Sequence, residues 1–497
     1  RVEILSFVAY NGLYLINLEN ESENVMHILS IYFGHDGAFS IAQGNKLLVH
    51  CQLDRFNKIK YSFQLSNSLL TYLQSLNITF NFVLFVDLQL GDSIEDEFYI
   101  KKAFSKFKLI DKYTQFINFA NTKKRKHHLL HAYCSKVTVG SNEKYVVVDG
   151  GGIANKEGDY ERESIYDKNF NLISTYNKKI GVRYGSITSQ LFNTTYKDGF
   201  HYCGKTMALS QYGNKIVRST TNLTEEKTNT ECQDFLYSLQ KITEKDLLKI
   251  MPKDNVNYSG GVAQNILANS KFLKYKNFKI DPICIDSGIS LGLLNYFLKG
   301  KLNQLDTVYL GPLPNYKDIN IFKDFNIVDS DETKVSELLK DNPVALFQGQ
   351  SEQGQRGLGN RSLLMNCFNK KAIEKINAIK KREWYRPFSP SVIEEKANLF
   401  FNMQNKISPY MMYAFKTKEN LSNVSAIDKS SRVQTVNKKQ NFNYYNLLKA
   451  SNGILLNTSL NFPGQVLVET LHDLKFMFNN SPLKYAWLPD INKLIIK

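Results

Sequence analysis

Short apolar, β-branched runs alternate with longer helical patterns over the first 300 residues, which predicts an α/β architecture. A strand pattern opens at Met26 and runs on from His27. Val83 to Asp87, Tyr145 to Asp149 and Pro282 to Asp286 each read as a strand ending in a carboxylate. Gln264 to Tyr275 reads as a helix behind a glycine turn. In open α/β sheets ligands collect at the carboxyl ends of strands, so these aspartates should face a crevice. A polar, turn-rich stretch from Gly311 to Asp331 precedes a second strand start at Val344. The pattern thus predicts an upstream extension over 1–25, one domain over 26–320 and another over 321–497. The Asn- and Lys-rich segments Asn420 to Asn423 and Asn437 to Asn443 read as surface loops of the second domain.

Length agrees, since 497 residues exceed what a single compact core holds. Composition is ordinary for a globular chain, at 43% hydrophobic and 22% charged. No apolar run approaches the roughly 18 to 20 residues of a membrane span, so the expectation is a soluble protein. Ile4 to Ile16 resembles a secretory segment only faintly, because acidic, Asn-rich sequence follows it and not a cleavage site. Six scattered cysteines, with no Cys-x-x-Cys pair, argue for a reducing cytoplasm and against a zinc ribbon.

A net charge of +16 has two readings. Surplus lysine on solvated faces is one, and a polyanionic partner that releases counterions on binding is the other. The run Lys123, Lys124, Arg125, Lys126 favours the second, because it abuts a candidate site.

That site begins with His127 and His131, which share one face of a helix at i and i+4 and can hold one ion. With Asp149 and Asp286 they make an N/O ligand set suited to iron, manganese or magnesium. Three glycine turns follow strands, at Asp149-Gly150-Gly151-Gly152, Ser259-Gly260-Gly261-Val262-Ala263, and Asp286-Ser287-Gly288. Each offers backbone N–H groups to an anion. With Gly204-Lys205-Thr206-Met207 they resemble the nucleotide cradle of the actin, Hsp70 and sugar-kinase superfamily. His35, in Gly34-His35-Asp36-Gly37 after the first strand, is a candidate general base. The second half is dense in arginine around glycine, Ser, Thr and Asn, at Arg356 to Ser362, Lys380 to Ser391, Ser431 to Val436 and Leu455 to Asn461. Forked hydrogen bonds from such residues suit phosphate and a planar acyl group.

At these residues the chain resembles the O-carbamoyltransferase family of nodulation-factor, tobramycin and cephamycin carbamoyltransferases, from about Met26 to the C-terminus. Asp54-Arg55-Phe56, His127-x-x-x-His131-Ala, Gly260-Gly261-Val-Ala-x-Asn265, Arg356-x-Leu-Gly-Asn-Arg361-Ser362, Arg386-Pro-Phe and Leu455-Leu-Asn457-Thr458-Ser carry the likeness. It implies a two-domain α/β protein, with a duplicated actin/Hsp70-like (RNase H-like) domain followed by a YrdC-like α/β domain.

The second domain would make carbamoyl-adenylate from carbamoyl phosphate and ATP. The first would transfer the carbamoyl group to an acceptor hydroxyl. Lys380, Arg386 and Arg432 would grip carbamoyl phosphate and nucleotide, with Arg356, Arg361, Ser362, Asn457 and Thr458 lining that site. His127, His131, Asp149 and Asp286 would bind the divalent metal. Lys205, Gly260, Gly261, Asn265 and Gly288 would hold AMP, and His35 would be the base.

Two departures stand out. Ala426 replaces the usual histidine of the segment that ends in Arg432, and Gln355 replaces a proline. The basic run makes a hydroxymethylated pyrimidine in DNA the leading acceptor, reached by base flipping. A sugar or antibiotic hydroxyl is the alternative. A non-catalytic nucleotide-binding protein of the actin and Hsp70 superfamily also stays open, as does a homodimer.

Overall fold

The computed structural model describes residues 4–9, 12–17, 26–62, 64–86, 94–119, 126–151, 161–404, 406–418 and 421–497. Strands β1 (Ile4–Ala9) and β2 (Gly12–Asn17) pair as an antiparallel hairpin. The first body sheet comprises β3 (His27–Tyr32), β4 (Ala38–Gln43), β5 (Lys46–Gln52), β6 (Phe82–Val86) and β7 (Gln115–Asn118), in the order β5-β4-β3-β6-β7. The second comprises β8 (Lys144–Val148), β9 (Glu163–Asp167), β10 (Leu172–Tyr176), β11 (Val256–Ser259) and β12 (Phe278–Ile280), in the order β10-β9-β8-β11-β12.

The two sheets follow one plan. In each, the first three strands form an antiparallel meander and the last two join parallel to the first. This repeated plan is the duplicated RNase H-like arrangement of actin- and Hsp70-type folds. β3, β6 and β8 are near-continuous runs of Ile, Leu, Val and Phe because they lie inside their sheets, covered on both faces.

The C-terminal unit is a mixed eight-stranded sheet. Its strands are β13 (Asn326–Asp329), β14 (Val344–Phe347), β15 (Arg361–Met365), β16 (Ser389–Ile393), β19 (Gln434–Val436), β20 (Ile454–Ser459), β21 (Tyr485–Leu488) and β22 (Lys493–Ile496), with β17 (Phe415–Lys416) and β18 (Ser430–Ser431) as a separate pair. One apolar cluster runs from Val146, Val148 and Tyr258 of the second sheet to Phe347, Leu363 and Val392 of this one. The halves therefore share a core.

Polar staples reinforce that union. Arg55 donates to Glu469 at 3.5 Å across the halves, and Glu469 also accepts from Ser351 at 2.8 Å and lies 4.0 Å from Arg361. Glu469 and both arginines are buried. Glu469→Ala should lower the unfolding free energy by about 3 kcal/mol in urea titrations, because it leaves the buried Arg361 guanidinium without its carboxylate and Arg55 with Asp54 alone.

Two expected elements are corrected. Pro282 to Asp286 is not a strand. β12 ends at Ile280, and Asp281 accepts from the Ile283 N–H at 2.9 Å to make a turn. Ile283 and Ile285 are apolar because they are buried, not because they pair in a sheet. Gln264 to Tyr275 is not a continuous helix but a chain of short turns at Gly261–Gln264, Ile266–Asn269 and Ser270–Phe272. Asn265 caps Ala268, Asn269 donates to the Ala263 and Met412 carbonyls, and Ser270 bonds the Ile266 carbonyl. These side chains compete with helix hydrogen bonds and break the run. Asp87, Lys123, Lys124, Arg125, Gly152 and Asn420 lie outside the described residues.

All six cysteines are free. No helix among the described residues is long and apolar enough to cross a membrane.

Candidate functional site

His127 and His131 open the helix His127–Val139, which runs beside the helix Gly288–Phe297. A Cβ at Gly292 would lie 2.0 Å from the Leu130 carbonyl oxygen, so glycine is what lets the two helices approach this closely. Asp286 sits in the turn before the second helix, and Asp149 follows β8 directly. The four side chains converge. His127 Nε2 lies 3.1 Å from Asp149 Oδ2 and 3.5 Å from Asp286 Oδ1, and His131 Nε2 lies 3.2 and 3.4 Å from the same two oxygens.

The other oxygen of each carboxylate is held by the frame. Asp149 Oδ1 accepts from the N–H groups of Gly150 at 2.7 Å and Gly261 at 3.2 Å. Asp286 Oδ2 accepts from the Tyr32 hydroxyl at 2.9 Å. Each acid thus turns one oxygen towards the imidazole pair. Burial works against all four charges. Their mutual attraction outweighs it, raising His127, lifting His131 to about 10, and depressing both carboxyls.

These residues fit a divalent ion. Two Nε2 atoms and two carboxylate oxygens lie within 4.8 Å of one another, a mixed N/O donor set that suits iron, manganese or magnesium. His131 Nε2 is buried without a hydrogen-bond partner. Tyr32 was invisible in the sequence, because it meets Asp286 only across 254 positions. Tyr32→Phe should weaken metal binding about 10- to 100-fold, measured by competition with a chelator, since it frees Asp286 to turn. His128 faces the other way and bonds Ser164 at 2.8 Å.

The glycine turn touches this cluster. Gly260 has φ +90°, and a Cβ there would meet the Val148 carbonyl oxygen at 2.3 Å, so the turn lies directly against the end of β8. Asn265 exchanges hydrogen bonds with Gln240 at 3.0 and 3.1 Å, which fixes it as a frame residue of the turn. Gly288 packs under Cys134 and the Ile283 carbonyl.

The second site is a crevice of cations. Lys380, at the end of the helix Ala372–Lys380, is buried and donates to the Ser459 carbonyl and to both oxygens of Asn461 at 2.6 to 2.7 Å. Arg432 Nε bonds Ser389 at 3.0 Å. Arg382 reaches Thr458 at 3.5 Å and the Pro387 carbonyl at 2.8 Å, with its guanidinium over the Phe388 ring. Burial, then the neighbouring arginines, hold Lys380 and Arg432 well below their usual values, Arg382 near 9 and Arg356 near 10. The arginines keep some accessible surface, as groups lining a crevice do. Glu383 is the carboxylate among them, bonded to Arg386 at 2.9 Å and to Lys205 at 2.6 Å. Such a surplus of desolvated positive charge suits a polyphosphate.

Sequence reasoning named Lys380, Arg386, Arg432, Arg356 and Thr458, and the structure brings these together. It did not assign Arg382. Arg361 stands apart: fully buried, it stacks on Phe347 and donates to the Gln348 and Asn360 carbonyls. Ser362 accepts from the Gly359 N–H, and Asn457 donates to Gly357, Ser391 and Gln434, so both brace the sheet.

The two sites adjoin. Arg356 of the crevice donates to the Gln264 carbonyl of the glycine turn at 3.4 Å, and Lys205 crosses to Glu383. His35, after β3, pairs with Asp36 at 3.1 Å, and its ring stacks on His201.

Residues 335–494 match the family described as Carbamoyltransferase C-terminus. Over 406 residues the chain is 28% identical to an uncharacterised protein of Methanocaldococcus jannaschii, covering 69% of this chain and 77% of the other. It is 30% identical to Nodulation protein NolNO of Sinorhizobium fredii, covering 50% of this chain and 42% of that one. It is 39% identical to the 3'-hydroxymethylcephem-O-carbamoyltransferase of Amycolatopsis lactamdurans over 26% of each. The chain spans less than half the length of these two named relatives. Residues 335–494 therefore carry a carbamoyltransferase C-terminal domain, and the chain is similar to relatives named for nodulation and for O-carbamoyl transfer.

Proposed function

We propose that this protein is an ATP-dependent O-carbamoyltransferase with two linked sites. The cationic crevice of Lys380, Arg382, Arg386 and Arg432 takes ATP and carbamoyl phosphate, and the carbamoyl group is joined to AMP with loss of phosphate and pyrophosphate. The carbamoyl-adenylate then passes to the glycine turn at Gly260 and Gly261, with Lys205 and Gly288 beside it. There the carbamoyl group goes to an acceptor hydroxyl and AMP leaves.

His127, His131, Asp149 and Asp286 would hold a divalent ion, which would supply positive charge for the AMP phosphate. His35, with Asp36, belongs to the transfer site. The observation that carries this reading is the hydrogen bond from Arg356 to the Gln264 carbonyl, which joins the crevice to the glycine turn. Enclosed, adjoining sites protect a labile adenylate from water.

The acceptor we put first is a hydroxymethylated pyrimidine in DNA, on the strength of the +16 charge. Of the basic run, Lys126 is described, and its ammonium bonds the Tyr296 hydroxyl and lies 4.4 Å from that ring, so it is tied to the fold. A small-molecule hydroxyl is the second reading, favoured by a relative named for a hydroxymethylcephem.

Metal-loaded protein should exchange labelled pyrophosphate into ATP only when carbamoyl phosphate is present, and absence of that exchange sinks the enzyme reading. Label from carbamoyl phosphate should then enter hydroxymethylated DNA and not unmodified DNA. Entry into a sugar or aminoglycoside instead selects the second reading.

A further inference from the structure

The transfer site holds a three-ring stack that the family likeness does not account for. His201, in the helix Tyr196–Leu209, lies between two rings. Its centroid is 4.6 Å from His35 at an interplanar angle of 7°, and 3.3 Å from Tyr61 at 8°. Asp36, buried, pairs with His35 Nδ1 at 3.1 Å and keeps its Oδ1 unpartnered.

Two imidazoles and a carboxylate could by type hold a second metal ion. The ring geometry rejects that. A metal sits in the plane of each imidazole it binds, along the nitrogen lone pair, and parallel stacked rings cannot aim two such lone pairs at one point. The contrast is with His127 and His131, whose rings stand at 85° and converge through Nε2 on the same carboxylate oxygens.

What stacked imidazoles resist is holding two protons at once. A charge on one ring disfavours a charge on its neighbour, so across neutral pH the pair holds a single proton and leaves one ring free to accept another. Asp36 decides which ring is charged. It pairs with His35 at 3.1 Å and reaches His201 less closely, while His201 also faces the His35 charge, Lys60, the Tyr61 ring and, on its own helix, Asp198.

We infer that His201 is the proton acceptor of the carbamoyl-transfer step and that His35, charged by Asp36, positions it. The inference rests on the proposed transferase reading. The acceptor oxygen forms a C–O bond to the carbamoyl carbon as its O–H proton passes to a ring nitrogen of His201. The bond from that carbon to the phosphate oxygen breaks, and AMP leaves with the electron pair. His201 then releases the proton to water.

The electrostatics agree. Burial opposes a charge on His35, but Asp36, joined by the Asp286 and Asp149 carboxylates, outweighs it, lifting His35 to about 9 in the metal-free chain. Burial and the His35 charge press His201 down to about 4. His201 is thus neutral above about pH 5 and partly exposed, so a ring nitrogen is free to take a proton, as a weaker base than an ordinary imidazole.

The test uses two readouts on the full chain loaded with metal. Pyrophosphate exchange reports the first half-reaction and the transferase reading alone. Carbamoyl phosphate-dependent AMP release, with methanol as the probe acceptor, reports transfer. His201→Ala should cut AMP release at least about 100-fold with exchange intact, and imidazole in the buffer should restore part of it, which a structural role would not allow. His201→Gln, which keeps a polar side chain in the stack, should behave alike without rescue.

Wild-type AMP release should hold its rate down to about pH 5, and His35→Asn should move that acid limit upward, because the charge that depresses His201 is gone. AMP release at the wild-type rate in His201→Ala overturns the inference. So does a wild-type rate that rises only as His35 loses its proton, with the His35 titration followed in the same metal-loaded protein. Exchange without any methanol-dependent AMP release in the wild type counts against it too. Failure of exchange in the wild type instead removes the transferase reading.

Discussion

Arg432→Met is expected to melt higher than the native protein in the absence of ligands, by about 2 to 5 °C, and to lose pyrophosphate exchange at least about 100-fold. The two effects have one cause. Burial, with Arg356, Arg382 and Arg386 around it, disfavours the charge on Arg432, yet a guanidinium keeps its proton in proteins. The penalty therefore stays in the folding free energy until an anion arrives.

An apolar side chain of similar length removes that penalty, and replacing such buried charges is often neutral or stabilising by about 1 to 4 kcal/mol. The same change removes a forked donor from the place where phosphoryl charge must be held. Calorimetry with and without inorganic pyrophosphate checks both halves. Pyrophosphate should raise the midpoint of the native protein and move that of Arg432→Met far less. A variant that melts lower and still responds to pyrophosphate would show that Arg432 supports the fold and not the anion.

The sequence made the centre of each site legible for different reasons. His127 and His131 were readable because helical spacing places i and i+4 on one face, and Asp149 because an apolar run names a strand and therefore its end. Asp286 was placed with these residues for an imperfect reason. Ile283, Cys284 and Ile285 look like a strand, but their apolar character comes from burial, and Asp281 bends the chain before them.

In the second half the density of arginine was visible, but not the direction in which each side chain points. Arg361 and Arg432 both sit amid polar and apolar residues, yet one is fully buried against Phe347 and the other lines the crevice. Tyr32, Arg382 and His201 were out of reach. Each acts through a partner brought near only by the finished fold, Asp286 for the first, Thr458 for the second and His35 for the third.

Metal removal should turn the stability of this protein into a function of pH. In the metal-free state the Asp149 and Asp286 carboxylates raise His127 and His131 against the effect of burial, His131 to about 10. A raised imidazole contributes stability that is fully present below its unfolded value of 6.5 and is lost as pH rises through about 10. The depressed carboxyls contribute above 3.8, and that share is lost as pH falls below it. Metal-free protein should therefore be most stable between about pH 4 and 6.5, with a melting temperature that falls towards pH 10.

Metal-loaded protein should not show the alkaline fall, because the ion takes the place of the imidazole protons. By the same linkage, metal affinity should rise steeply with pH across the neutral range as those protons are displaced. His131→Ala removes a donor and one of the two charges. It should lose the pH-dependent difference between the loaded and stripped forms, and transfer should fall by about 1,000-fold, the equivalent of several kcal/mol of electrostatic stabilisation. Pyrophosphate exchange should survive, since the crevice of Arg432 and Lys380 is built on another sheet. Equal loss of exchange and transfer in His131→Ala would mean that the histidine pair holds the whole fold together and not one site.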